Sequence, residues 1–139
     1  LGACLAGIAI EHSMLGAAHA LANPLTSKYG VAHGEAIAIM LPHVIRYNGQ
    51  QIGLLYRELV QSAEETNHLA DGDQTSENLA TFVSQLARQA GLAGTLREAG
   101  TSPADLPALA TAATEQWTGT FNPVEMTRDD FQRLYEAAL

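Results

Sequence analysis

The sequence predicts an all-α domain, a helical bundle, and three observations predict it. Of its 139 residues 47% are hydrophobic but only 6% aromatic, so the core available is Ala, Leu, Ile and Val. Alanine and leucine are the strongest helix formers, and the apolar positions recur at three- and four-residue intervals. Clear strand runs are hard to find. The length fits one domain and is enough to bury a real core.

Each element can be justified in order. LGACLAGIAIEHSMLGAAHALA is apolar, with small residues Ala3, Gly7, Gly16 and Ala20 that let a helix approach its neighbours. Glu11, His12 and His19 lie inside it and no basic flank is present, so a buried helix at the domain centre is expected, not a membrane span or signal peptide. Asn23-Pro24 disfavours helix at position 23. TSKYG follows as a turn, with Gly30 free to take a positive φ. A second helix starts near His33-Gly34 and carries Ile37, Met40, Leu41, Val44 and Ile45. Pro42 kinks it and strands the Ala38 carbonyl, and Asn48-Gly49 stops it. Ile52, Leu55, Tyr56, Leu59, Val60 and Ala63 form the stripe of a third helix, followed by the polar linker NHLADGDQT.

A fourth helix presents Leu79, Phe82, Val83, Leu86 and Ala90 and ends at Gly91. Ser102, Pro103 and Asp105 read as a helix start, with Leu106, Leu109, Ala110 and Ala113 on its apolar side. WTGTFNPVEM reads as a loop. Thr127 caps the last helix with Asp130 as its box partner, burying Phe131, Leu134, Tyr135 and Ala138. The chain opens on Leu1 in what reads as mid-helix, with neither Met nor a capping residue before it, as a piece of a longer polypeptide would.

A net charge of −8 with only seven Lys plus Arg repels phosphate backbones, so nucleic acid is not an expected partner. The lone Cys4 excludes an internal disulfide framework and a cysteine-built zinc site, and it fits a reducing compartment, so a cytoplasmic location is expected. It lies far in sequence from His19 on an apolar segment with nothing to depress its pKa. GLAG at 91–94 follows no strand and is no phosphate loop.

The chemistry concentrates in HALANPLTSKYGVAHG, residues 19–34. On one helix His12, His19 and Asn23 share a stripe. His12 and His19 are two turns apart, about 10 Å along the axis, too far to meet readily on one ion. His19 and Asn23 are one turn apart. The Pro-bearing turn can bring His33 back toward His19, which makes the spacing usable for a metal. Two neutral imidazoles suit Zn²⁺ or Fe²⁺, but a stable site wants three or four protein ligands. On spacing alone, two hydrogen-bonded core histidines are the simpler description, and the pattern is not specific to a metal. His43 and His68 read as structural or surface residues, and Arg46 and Tyr47 as a surface cation and an amphipathic anchor. Glu11 can ligate from a buried helix, or pair with something outside this chain.

GAAHALANPLTSKYGVAHGEAIAIMLPHVIRYNG closely resembles the C-terminal signature of iron-containing (group III) alcohol dehydrogenases. HALANPL, YGVAHG and AIMLPHVIRYN carry the resemblance. WTGTFNP resembles the family's late loop and TRDDFQRLYEAAL its closing helix, so the likeness spans essentially the whole chain. It implies a dehydroquinate synthase-like, all-α C-terminal domain, residues 1–139, whose partner α/β nucleotide-binding domain is absent from this chain. It implies Fe²⁺ or Zn²⁺ held by one Asp and three His, with His19 and His33 matching the last two histidines. The Asp and the first His fall outside this stretch, and NAD(P) would be bound mainly by the absent domain. The expected activity is hydride transfer between a small alcohol and NAD(P), the metal polarising the oxygen, with the isolated piece inactive. A homo-oligomer is also expected, because the cleft face would be uncovered. Many relatives carry His where Asn23 stands, near the nicotinamide. Asn23 is the candidate catalytic residue here, able to position a ligand but not to relay a proton by titrating. Relatives often have Cys where Trp117 stands. The alternative reading is a non-catalytic helical interaction module derived from this family.

Overall fold

The computed structural model describes residues 1–139 and contains helices and turns with no strand. Six α-helices follow in order: α1 Gly2–Ser13, α2 Ala17–Tyr29, α3 His33–Gln61, α4 Thr75–Gln89, α5 Leu106–Thr114 and α6 Arg128–Ala137. Short 3₁₀ turns fill the connections. The main core gathers Leu21 and Leu25 of α2, Met40 of α3, Leu109 of α5 and Tyr135 of α6 around a lining of alanines. A smaller core joins Ile45 and Val60 of α3 to Leu69, Leu79 and Ala80. α2 therefore lies at the centre, clasped by α3, α5 and α6.

The opening segment departs from expectation. It divides into two helices bent by 105°, and the break falls at residues 14–16 instead of at Asn23-Pro24. Met14 takes φ 63° and ψ −173°, a region that L side chains adopt only under strain of about 1–3 kcal/mol. Neither Met14 nor Leu15 is a residue type that marks a turn, so the break leaves no signal in the sequence. Only the part after Gly16 is central; no residue of α1 is buried, and Glu11 is exposed with the rest of it. No single helix is long and apolar enough to cross a membrane.

α2 runs straight through Pro24 to Tyr29, so TSKYG is its last turn and Gly30, at φ 68°, its left-handed cap. Pro24 has no N–H to donate back to the preceding turn. The carbonyl left without that donor is Ala20's; the Tyr135 hydroxyl donates to the next one, Leu21's, at 2.7 Å and ties this stretch of α2 to α6, and Pro24 itself is buried. Tertiary packing overrides the local preference here.

α3 also runs past its expected stop. Asn48-Gly49 lies within the helix, and the backbone leaves helical dihedrals at Ile52 (φ −114°, ψ 24°), not at Pro42. Gly49 is small for a different reason: a Cβ there would sit 2.3 Å from the Ser76 Oγ of α4. Beyond Ile52 the expected apolar stripe is only partly used. Val60 is buried, whereas Leu55 and Leu59 are exposed.

Of the remaining expectations, Gly91 ends α4 with φ 77°, and Leu106, Leu109, Ala110 and Ala113 bury the inner side of α5. The linker NHLADGDQT folds into 3₁₀ turns and buries Leu69 and Thr75. Ser102 offers no side-chain cap; Pro103–Asp105 form a 3₁₀ turn whose Asp105 instead binds Lys28 at 2.8 Å and the Tyr29 hydroxyl. Trp117–Phe121 is a 3₁₀ turn within the expected loop. Thr127 and Asp130 complete both arms of the capping box on α6.

Candidate metal centre

His19 stands in the first turn of α2 and His33 is the first residue of α3. The helix–turn–helix that joins them folds back, so their ring centroids lie 5.3 Å apart at an interplanar angle of 48°. Two imidazoles sharing one tetrahedral ion through nitrogens at about 2.1 Å have centroids roughly 5 Å apart. The pair therefore fits joint ligation of Zn²⁺ or Fe²⁺. His33 is exposed and His19 half-buried, so the pair opens at the surface. Burial, and then the neighbouring His33, hold the His19 imidazole below its ordinary value. A ring kept neutral is the form a cation needs.

The pair is joined by no third possible ligand. No group of three or more His, Cys, Asp or Glu side chains converges in this chain. His12 and Glu11 are on exposed α1 and join nothing. His43 is half-buried between α3 and α4, in a different cavity of about 400 Å³ lined also by Arg46 and Arg88. Arg46 is no free surface cation, since it binds Glu77 through two hydrogen bonds at 2.7 and 2.8 Å. His68 packs edge-on against Phe82, and Cys4 is exposed on α1.

What holds α2 in place was not legible from spacing. Asn122, in the late loop, accepts from the Ala17 N–H at 3.3 Å and so caps α2, which has no side-chain cap of its own. The same amide exchanges hydrogen bonds with Asn48 of α3, at 3.1 and 2.8 Å, and donates to the Val124 carbonyl. Gly16 eases this approach, because a Cβ there would sit 3.3 Å from the Asn122 Oδ1 and the asparagine would have to give way by a few tenths of an ångström. Asn48 is thus a buried clamp, 3% exposed, and not a helix stop. The asparagines of RYNG and FNP hold the histidine-bearing helices together.

Asn23 lies one turn beyond His19 and donates through Nδ2 to the Gln116 Oε1 at 2.8 Å. The next residue, Trp117, is 60% exposed and meets Phe121 in a T-shaped contact. Gly119 of the same turn abuts Ala20, where a Cβ would come within 3.4 Å. An apolar, solvent-facing surface therefore adjoins the face of α2 that carries His19 and Asn23.

The fold defines a class: an all-α domain that presents two paired imidazoles at its surface. The family described as "Fe-containing alcohol dehydrogenase family, C-terminal" matches residues 1–139, and the chain belongs to that family. It is 35% identical over 138 residues to lactaldehyde reductase of Escherichia coli (strain K12), covering 99% of this chain and 36% of that protein. It is 30% identical over 135 residues to 1,3-propanediol dehydrogenase of Citrobacter freundii, covering 96% and 35%. Its fold superposes on a solved alcohol dehydrogenase from Oenococcus oeni with TM-score 0.88 at 26% identity, over 97% of this chain and 35% of that one. The chain thus spans about a third of the length of these relatives.

Proposed function

We propose that this chain forms the helical half of the active site of a metal-dependent NAD(P) alcohol dehydrogenase that interconverts a small alcohol and its aldehyde or ketone. The observation that carries this reading is the 5.3 Å pairing of His19 and His33. These two imidazoles would hold Fe²⁺ or Zn²⁺, with the further ligands supplied by an earlier helix and the dinucleotide site by an α/β domain, both outside this stretch. A bound divalent cation supplies Lewis acidity toward an alcohol or carbonyl oxygen. The residues of this chain do the rest by position: His19 is kept neutral by burial, Asn23 orients a bound oxygen or amide, and Trp117 and Phe121 cover the apolar part of a substrate. The names of the relatives support a small alcohol or aldehyde as the substrate class. The exposed helix α1 supports pairing with the absent domain or with a second copy through this side of the molecule.

The test is metal content in the full-length protein, read by elemental analysis and by Co²⁺ absorption. His19→Ala and His33→Ala should each weaken metal binding at least about tenfold, since each removes a ligand from a four-coordinate site. His43→Ala, in the other cavity, should keep it. Undiminished metal in both ligand variants would leave a non-catalytic helical module as the better reading.

A further inference from the structure

The amide of Asn23 has a fixed direction, set by a backbone carbonyl far from it in sequence. Ala112 is in the last turn of α5, where carbonyls lack helical partners. Its oxygen can only accept, so the Gln116 group facing it at 3.4 Å is the Nε2 amide nitrogen. The other end of that amide, Oε1, then has to accept, and Asn23 donates to it through Nδ2 at 2.8 Å. Turning the Asn23 amide over would oppose two acceptors at that distance. The Asn23 Oδ1 is consequently the end of the chain: no protein donor reaches it, and it is not sealed in the interior. It sits on the face of α2 that carries His19, one turn away.

We propose that Gln116 is a positioning residue that locks Asn23 as a fixed hydrogen-bond acceptor beside the imidazole pair, favouring substrates with an O–H donor adjacent to the reacting carbinol. The place of this acceptor in a substrate site rests on the function proposed above; the locking itself does not. An amide oxygen accepts a hydrogen bond at any pH near neutrality but does not take up the proton. It rewards a ligand that brings a donor and leaves a ligand without one to be solvated by water. A single neutral hydrogen bond of this kind is worth about five- to tenfold in relative affinity.

Two variants separate positioning from mere structure, both made in the full-length protein. Gln116→Glu gives up the donor to Ala112 but keeps an acceptor facing Asn23, to which a carboxylate can offer nothing else, whereas Gln116→Leu removes the acceptor. The first readout is the side-chain amide resonances of Asn23 in ¹⁵N-labelled protein, which need neither metal nor turnover. One amide proton should show a hydrogen-bonded shift in wild type and, at least as strongly, in Gln116→Glu, and should lose it in Gln116→Leu. The second readout is kcat/KM for 1,2-propanediol relative to 1-propanol. That ratio should hold in Gln116→Glu and fall about fivefold in Gln116→Leu, mostly through KM. Asn23 resonances indifferent to Gln116→Leu overturn the locking. An unchanged substrate ratio, with the resonances shifted, overturns the substrate preference. Loss of metal from the His19 and His33 variants is a separate result and bears on the function alone.

Discussion

His43 shows how one residue couples the fold to pH. It is half-buried beside Arg46, and burial first, then the Arg46 charge, hold its imidazole below the ordinary value of about 6.5, against a weaker pull from Glu77. The unfolded chain therefore takes up this proton at higher pH than the folded one. Stability is complete above about 6.5 and declines as the pH falls toward the folded value. His43→Gln should reduce the loss in urea midpoint between pH 7.5 and 5.5; an unchanged loss would show that burial does not govern this ring. His19, also held low, accounts for a remaining part of the decline. The carboxylates of Glu77 and Asp130, both held low by hydrogen bonds, act in a separate window below about 4. At this scale the meeting of His19 and His33 was legible from the motif around them and not from their spacing, which suits ordinary core histidines. Gln116 was not, since its bond to Asn23 spans the chain and leaves no periodic trace.

Among the elements, the pair α3–α4 depends on Gly49. Sequence reads Asn48-Gly49 as a stop, yet the helix continues and the missing Cβ makes room for Ser76, whose Oγ and Cβ lie 2.3 and 2.4 Å from where it would be. Replacing Gly by Ala in a helix ordinarily gains about 1 kcal/mol, and overpacking costs about 1–3 kcal/mol. Because the Ser76 Cβ cannot rotate away as the Oγ can, the cost should exceed the gain. Gly49→Ala is expected to lose about 1 kcal/mol in denaturant unfolding, and a gain in stability would contradict the close approach. The capping box of α6 was readable because it is local, Thr127 and Asp130 being three residues apart. The persistence of α2 through Pro24 was not, since it follows from the burial of this helix among segments distant in the chain.

For the whole molecule the decisive feature is α1. Its twelve residues bury nothing, and Leu5, Ile8 and Ile10 face solvent. Isolated helices of about 12–15 residues are marginal in water, so α1 needs a partner to stay formed. Hydrogen exchange should find its amides fast-exchanging in this chain alone at low concentration. They should become protected when the chain associates at high concentration or is joined to the rest of a full-length protein. Strong protection of α1 in a strict monomer would refute this. Leu54, Leu55 and Leu59 are similarly exposed beyond the break in α3 and give association a second apolar surface.

The amino-acid sequence by itself determined the helical class, the apolar faces of α5 and α6, the αL glycines at 30 and 91, and the kinship carried by residues 16–48. The stripe expected of α4 holds only in part, since Leu79 is buried but Leu86 and Ala90 are exposed. The features determined this way are signals of period, capping and motif, which act over a few residues. Tertiary structure decided where the long helices break, which glycines serve packing, how the two imidazoles meet and which way the Asn23 amide points. Such features follow from contacts between segments distant along the chain, and those contacts outweigh the small local preferences of the backbone.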